Sequence, residues 1–452
     1  MFLDDIEKVA NIVKSIIKNK KVKIISHYDT DGLTSAAIIA KMLLREGVNF
    51  EIRIVKRLSS EVLEKLNVSE NDFLIFTDLG SGQLNLLQTI LSKTQILILD
   101  HHIPVDINHF NLFHLNPIVY GEEPISSSLL CYIFAKFFNY KNIDLVDLAI
   151  VGAIADEQEE KWQFKGLAKK VLEEAELIGK ISIFKGLRLY GRCTRPIHKA
   201  LAYSFDPFIP SISGSESQAV QFLSELNINV NETGKWKTLS DLTPEEQQKL
   251  ASAIMVERLK AKFSDPEDIF GDLYTILGRP EEIQDAREFS TLLNACGRTE
   301  NFDIAIRLCL GDISVIDRCL EIFENYKKKI GECLSFARSN IKETENAFYI
   351  FGEGIIPENI IGTITSIILK SNLVNLRKPI FGFAETNEGK LKISARTLNT
   401  NINIGQIITN VIKVIGGEGG GHSEAAGATI DKNKKNEFIE LVEKQIGEKI
   451  GS

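Results

Sequence analysis

Short β-branched runs alternate with helix-like stretches along the first hundred residues, and three of these runs stop at a histidine or an aspartate. Lys21–Ser26, Phe50–Val55, Phe73–Thr77 and Gln95–Leu99 read as strands, and Leu33–Glu46 reads as a helix between the first two. A helix over residues 2–19 precedes them, with Ile6, Val9, Ile12, Val13, Ile16 and Ile17 at helical spacing. Leu145–Ile154 is a further apolar helix, leading to Asp156. Strands alternating with helices predict a parallel, doubly wound α/β sheet. In such a sheet ligands bind beyond the carboxyl ends of the strands. His27, Asp78 and Asp100 each directly follow a strand run, so the pattern brings them to one edge.

The residues just past each run are chemically selective. The first loop reads His27-Tyr28-Asp29-Thr30-Asp31-Gly32, the second Asp78-Leu79-Gly80, the third Asp100-His101-His102, and the apolar helix closes on Gly152-Ala153-Ile154-Ala155-Asp156. A distal Gly419-Gly420-Gly421-His422 adds a fourth histidine to these elements, out of seven in the chain. Each motif alone serves equally well as a turn or a helix cap. Together they gather carboxylates and imidazoles that repel or misprotonate one another unless cations hold them. Oxygen and imidazole ligands without thiolate point to Mn²⁺ or Mg²⁺ rather than structural zinc. Asp156 at the end of a helix stands against the helix dipole unless a cation compensates. Asp100 is placed to orient a neighbouring histidine through its second ring nitrogen.

The remainder divides by pattern. Residues 1–160 carry the strand–helix units, 161–345 read as a mostly helical insert with a polar loop at Asn229–Thr243, and 346–452 return to α/β character. In that last part Ala347–Phe351, Pro379–Phe383 and Lys390–Ala395 read as strands, and Asn359–Lys370 as a helix. A closing strand starts at Thr429–Ile430 and a closing helix spans Lys434–Ile446. A chain of 452 residues with 44% hydrophobic content has material for two or three cores. The net charge of -8 argues against a protein that coats nucleic acid nonspecifically, and is compatible with one local groove. The six cysteines form no CxxC pair and read as buried free thiols. No apolar run of membrane-spanning length and no signal-peptide pattern is present, so a cytoplasmic protein with no membrane partner is expected.

Taken in order, the HxDxDG, DxG, DHH, GxIAD and GGGH elements resemble those of the DHH phosphoesterase superfamily. The GGGH is similar to the branch with a DHH-associated nucleic-acid-binding domain, which includes RecJ exonucleases. The match covers residues 21–160 and 345–430. The resemblance implies a DHH domain, a helical insert and a smaller α/β DHH-associated domain, with the active site in the cleft between the two α/β domains. It implies two divalent ions: His27 and Asp29 on the first, Asp31 on the second, Asp78 on both, and His101 and Asp156 completing the second. His102 would meet the scissile phosphate. Ser126-Ser127-Ser128 resembles the family's serine-rich element, with Ser127 on the substrate, although a helix cap fits those serines as well.

Ser394-Ala395-Arg396 looks like the family's SxR element, and with Gly420, Gly421 and His422 it implies a phosphate cradle. Glycines admit backbone N–H groups close to a phosphate, and an arginine offers a two-pronged fork. Asn359, with Gly362 at a helix start, adds another anion seat. In the insert, the basic run around Arg192, Arg195 and Lys199, preceded by Lys185 and Arg188, and the run Leu292-Leu293-Asn294-Ala295-Cys296-Gly297-Arg298, are similar to elements of archaeal RecJ-like proteins such as the GINS-associated nuclease. Arg192, Arg195 and Lys199 either track a single strand or form a solvated basic face. Bacterial RecJ carries an additional OB-fold after the distal domain and this sequence ends at residue 452, so the grip on long strands is expected from the insert or a partner.

The expected activity is metal-dependent exonucleolytic hydrolysis of single-stranded DNA or RNA in replication or repair, with Mn²⁺ preferred and Mg²⁺ usable, and with GINS or a helicase as the candidate protein partner. Two alternatives stand beside it: an oligoribonuclease or cyclic-dinucleotide phosphodiesterase, and a non-catalytic replisome scaffold.

Overall fold

The computed structural model describes residues 2–450 except 161, 205, 206, 233, 264, 371–373 and 400. The chain divides into two compact units, Met1–Tyr203 with Ile209–Phe323, and Ser204–Phe208 with Glu324–Ser452.

The first unit begins with α1 (Phe2–Ile16), β1 (Lys21–His27), α2 (Thr30–Arg45), β2 (Phe50–Val55), α3 (Ser60–Glu64) and β3 (Asp72–Thr77). α4 (Leu84–Leu91), β4 (Gln95–Leu99), β5 (Leu112–Leu115), α5 (Ser127–Phe138) and α6 (Val146–Ala155) come next. The five strands form one parallel sheet in the order β2-β1-β3-β4-β5. Ile25, Leu74, Phe76, Ile96 and Ile98 point to the side where α3 and α4 bury Leu63, Leu84, Leu87 and Leu91. On the opposite side α2 lies against β1 and β3, and α5 against β4. Both faces are covered, which is why β3 and β4 read as unbroken apolar runs.

Strand registers decide where the chemistry falls. Ser26 pairs with Thr77 and Thr77 with Leu99, so His27, Asp78 and Asp100 leave the same end of the sheet from adjacent strands. The strand β5 was not evident from its sequence, Leu-Phe-His-Leu, which is short and lacks a β-branched residue.

The insert is helical with strands added. β6 (Glu159–Glu160) and β7 (Gln163–Phe164) form a small hairpin, followed by α7 (Gly166–Leu177), β8 (Ile181–Leu187), α8 (Ile197–Ala202) and α9 (Glu216–Glu225). Then come β9 (Asn231–Glu232), β10 (Lys235–Trp236), α10 (Pro244–Lys260), β11 (Phe270–Ile276), α11 (Ala286–Arg298), α12 (Phe302–Cys309) and α13 (Ile316–Ser339). β8 and β11 pair antiparallel over seven residues each. The expected loop Asn229–Thr243 is in fact built around the β9–β10 hairpin; its Thr233 lies outside the described residues. All six cysteines are free and buried. No helix among the described residues is long and apolar enough to cross a membrane.

In the second unit β12 (Ile341–Glu343), β13 (Phe348–Phe351), α14 (Ile361–Lys370), β14 (Ile380–Glu385) and β15 (Leu391–Arg396) precede α15 (Ile404–Ile415), β16 (Glu418–Gly421), β17 (Ala425–Ile430) and α16 (Lys435–Ile450). The sheet order is β12-β13-β14-β15-β17-β16, and β13–β14 is its parallel pair. Phe381, Phe383, Ile393 and Ala428 pack with Ile407, Val411, Phe438 and Val442 of α15 and α16. Two expectations change here. Gly419–Gly421 is strand, not loop, because β17 supplies its ladder along one side. β17 ends at Ile430 rather than starting at Thr429.

Candidate metal centre

β1 ends on His27 and Asp29 caps α2, its Oδ1 accepting the Gly32 N–H at 3.0 Å. A Cβ on Gly32 would stand 2.3 Å from the His27 carbonyl oxygen, so only glycine lets the helix start this close to the strand end. Asp31 falls in the first turn of α2, where the helix dipole favours a carboxylate. The first turn of α5 points at the same group: Ser127 and Ser128 donate their N–H to Asp31 at 2.8 and 3.0 Å. Asp78, just past β3, adopts a left-handed φ of 59°, a conformation that aspartate tolerates better than bulky residues. That turn brings its carboxylate under the histidines.

The ligand atoms converge in overlapping groups. His27, Asp29 and Asp78 form one, Asp31, His101 and Asp156 a second, and Asp78, His101 and His102 a third, each with atoms within 4.8 Å of one another. His27 Nδ1 lies 2.9 Å from Asp29 and 3.3 Å from Asp78. His101 is 3.5 Å from Asp78 through Nε2 and 3.5 Å from Asp156 through Nδ1. Yet His27 Nδ1 and Asp78 Oδ2 are buried and find no hydrogen bond of proper geometry. Buried polar atoms are rarely left so. A cation accounts for both, and the donor set of carboxylates and imidazoles fits a hard divalent ion.

The protonation balance agrees. Burial first, then the charges of Asp78 and Asp156, hold Asp31 well above the usual carboxylate range. Burial likewise raises Asp156 to about 6, against the pull of His101 and with help from Asp78 and Asp29. Burial works against the His101 imidazolium, but its Asp78 hydrogen bond and the charges of Asp156, Asp78 and Asp31 lift it to about 10. Carboxylates that resist ionising beside imidazoles that resist losing protons are what a cluster of ligands does without positive charge at its centre.

Asp100 is fully buried and holds the histidine loop from below. Its Oδ1 accepts the N–H of His101 at 2.8 Å and lies 2.7 Å from His102 Nδ1, and its Oδ2 accepts the Ser81 N–H at 2.9 Å. His102 is thereby pinned through Nδ1, and its side chain is 46% exposed.

A second clamp was missed by sequence reasoning. Asn116, fully buried, donates to the His102 carbonyl at 2.8 Å and to the Ser81 hydroxyl at 2.9 Å. Its side-chain oxygen accepts the Ile118 N–H, which fixes the amide orientation. His114 Nε2 lies 2.8 Å from Ser81 Oγ, and burial keeps that imidazole below its usual pKa, so the hydroxyl donates to a neutral ring. The one sequence signal was the Asn116-Pro117 pair, a turn former, and the strand before it was not evident. Asn116→Ala is expected to weaken Mn²⁺ binding, followed by calorimetric titration, by roughly tenfold, the usual effect of losing a residue that orients a ligand loop. Asn116→Asp, of the same shape, separates lost volume from lost donation.

Other placements differ from expectation. Ser127 is fully buried, with its N–H on Asp31 and its hydroxyl 3.2 Å from Asp78, so it orients carboxylates rather than lying open to substrate. Arg192 does not track a strand: its side chain is 11% exposed, with Nε 3.2 Å from Asp285. Arg188 is buried as well, against the Asp268 carboxylate and over the Trp162 ring. Lys199 and Lys185 are exposed, and Arg195 is half-buried over Tyr190.

The run Leu292–Arg298 gains a structural reason, because α11 backs onto the loop between His27 and Gly32. Thr30 donates to the Ser290 carbonyl at 2.9 Å, and Arg298 donates to the Tyr28 hydroxyl at 2.7 Å. Gln158 donates to Asp156 at 2.8 Å.

In the second unit, Arg396 donates to Ser366 at 3.0 Å and to Ser394 at 3.3 Å, and a Cβ on Gly362 would meet Ser394 Oγ at 3.1 Å. Ser394 and Gly420 both pair with Gly427, so the serine and the glycine run lie in one row across β15, β17 and β16. His422 is exposed at the turn after β16, its N–H on the Ala425 carbonyl. Gly421 is exposed and Asn359 half-buried.

The sequence matches three family models: the DHH family N-terminal domain over residues 21–154, the DHH-CID domain over 189–267 and the DHHA1 domain over 347–448. An uncharacterized protein of Methanocaldococcus jannaschii is 35% identical, with 99% of each chain covered. Among solved structures, RecJ in complex with Mn²⁺ from Thermus thermophilus is 18% identical with a TM-score of 0.64, covering 99% of this chain and 55% of that one. This chain therefore spans about half the length of that RecJ. A second RecJ bound to manganese is 17% identical with a TM-score of 0.59, over 98% and 94% of the two chains. CDC45 from Entamoeba histolytica is 12% identical with a TM-score of 0.67, over 98% of both.

Proposed function

Because the chain belongs to the DHH family, a family of phosphoesterases, we propose that it is a metal-dependent exonuclease that hydrolyses single-stranded DNA or RNA, in replication or repair. The observation that carries this reading is the convergence of three ligand groups on Asp78 and His101, with His27 Nδ1 and Asp78 Oδ2 buried there without a hydrogen-bond partner. His27 and Asp29 would hold one divalent ion, Asp31, His101 and Asp156 another, and Asp78 both. Bound there, Mn²⁺ or Mg²⁺ would supply an activated water and neutralise the charge that develops on a phosphodiester.

The chain's own residues do the rest. Asp100 fixes His102 through Nδ1, leaving Nε2 to donate to the scissile phosphate. Ser127 and Ser128 fix the Asp31 carboxylate. Ser394, Arg396, Gly420, Gly421, His422 and Asn359 would seat a substrate phosphate in the second unit, with the Arg396 fork as its cation. GINS or a helicase would be the protein partner.

The test is a ladder of end-labelled DNA and RNA, from dinucleotide to long strand, with Mn²⁺ or Mg²⁺ supplied. Progressive shortening of single strands from one end is expected, and chelation should abolish it. Cleavage confined to two- to four-nucleotide substrates would favour an oligonucleotide phosphodiesterase. Inactivity with every substrate in Mn²⁺ would favour a scaffold.

A further inference from the structure

The insert carries a surface that the metal centre does not use. α8 lies against the β9–β10 hairpin, tied by the Ile197 N–H on the Lys237 carbonyl at 2.8 Å. Trp236 at the end of β10 is 50% exposed, and its ring rests on the buried His198 ring with centroids 4.8 Å apart. A tryptophan held from behind yet open in front is a flat apolar face with fixed orientation.

Cations and a second aromatic share this surface. Lys199 on α8 and Tyr203 at its C-terminal cap are four residues apart, and Arg195 lies just before the helix, four residues ahead of Lys199. Tyr203 is 51% exposed, Lys199 is exposed, and neither Arg195 nor Lys199 makes an ion pair among the described residues. Nearby acids are engaged: Glu216 accepts the Tyr203 hydroxyl at 2.5 Å, Glu232 is 2.8 Å from Lys237, and Asp241 accepts the Thr238 N–H at 2.8 Å. Two exposed aromatic faces beside the exposed Lys199, with Arg195 half-buried over Tyr190, suit single-stranded nucleic acid, whose bases stack and whose phosphates seek Arg and Lys. A helical protein partner would instead call for a contiguous apolar groove.

We propose that Trp236 and Tyr203, with Arg195 and Lys199, form a stacking platform that holds the trailing part of a single strand while its end is hydrolysed. This rests on the nuclease reading above and names where that strand runs. Arg192, just before this segment, is anchored on Asp285, the cap of α11, and α11 in turn packs on the loop after β1 through Ser290 and Gly297.

The experiment uses the full chain without divalent cations, titrated with a dinucleotide and a twelve-nucleotide oligothymidylate while tryptophan fluorescence is followed. The long strand should quench wild-type fluorescence and leave Trp236→Phe, which keeps only Trp162, unquenched. Trp236→Ala should weaken long-strand binding roughly tenfold and leave the dinucleotide unchanged, with Trp236→Phe within about threefold of wild type. Lys199→Glu, on an exposed position, should weaken the long strand in the same selective way. Equal long-strand binding by wild type, Trp236→Ala and Lys199→Glu would overturn the platform while leaving the nuclease reading intact. Wild-type protein that neither binds nor shortens any strand would overturn both.

Discussion

Asp78→Asn is expected to lower phosphodiester hydrolysis at least about a thousandfold, equivalent to about 4 kcal/mol of transition-state stabilisation, while the chain stays folded. Asp78 stands in two of the three ligand groups and within 3.5 Å of both His27 and His101. Its amide would keep the shape and lose the charge that two cations would share. The left-handed backbone at this position suits asparagine as well as aspartate, so the variant separates chemistry from folding. Initial rates on a labelled single strand in saturating Mn²⁺, together with the thermal midpoint, check it. Retention of more than a tenth of the wild-type rate would remove Asp78 from the centre of the mechanism.

The second large effect belongs to a residue with no ligand atom. A Cβ on Gly297 would lie 2.0 Å from the Tyr28 carbonyl oxygen and 3.3 Å from Leu33 Cδ1. The first of these neighbours is backbone and cannot rotate away, so either α11 or the loop between His27 and Asp29 must move. Gly297→Ala is expected to cost about 3 kcal/mol, as overpacking does, with a midpoint lowered by roughly 6–10 °C. Since a displacement of about 1 Å misplaces reacting groups, activity should fall roughly a hundredfold below the folded fraction. Melting curves and rates taken at a temperature where the variant is folded separate the two losses. The same substitution at Gly420, whose Cβ would meet only Thr409 Oγ1 at 3.9 Å, should leave stability almost unchanged.

These two positions mark what the sequence tells and what it withholds. His27, Asp78 and Asp100 could be placed at one sheet edge because each directly follows a strand run of a parallel, doubly wound pattern. Their order along the chain was informative for the same reason. Contacts between distant segments could not be read that way. Ser127 is far from Asp31 in sequence, and only the packing of α5 beside α2 turns its N–H toward that carboxylate.

Arg192 and Arg188 read as surface charge because arginines usually are, yet Asp285, Asp268 and the Trp162 ring draw them inward. Gly419–Gly421 fits a turn by sequence, yet pairing with β17 overrides glycine's poor strand propensity. The clamp of Asn116 on the His102 carbonyl depends on β5, the strand least visible in the sequence.

Calorimetric titration of the metal-free protein with Mn²⁺ tests the centre most directly. Two ions per chain are expected for wild type, one for Asp156→Asn, and markedly weakened binding at both sites for Asp78→Asn. A single wild-type ion, or an Asp78→Asn isotherm that matches wild type, would contradict a centre built on one shared carboxylate.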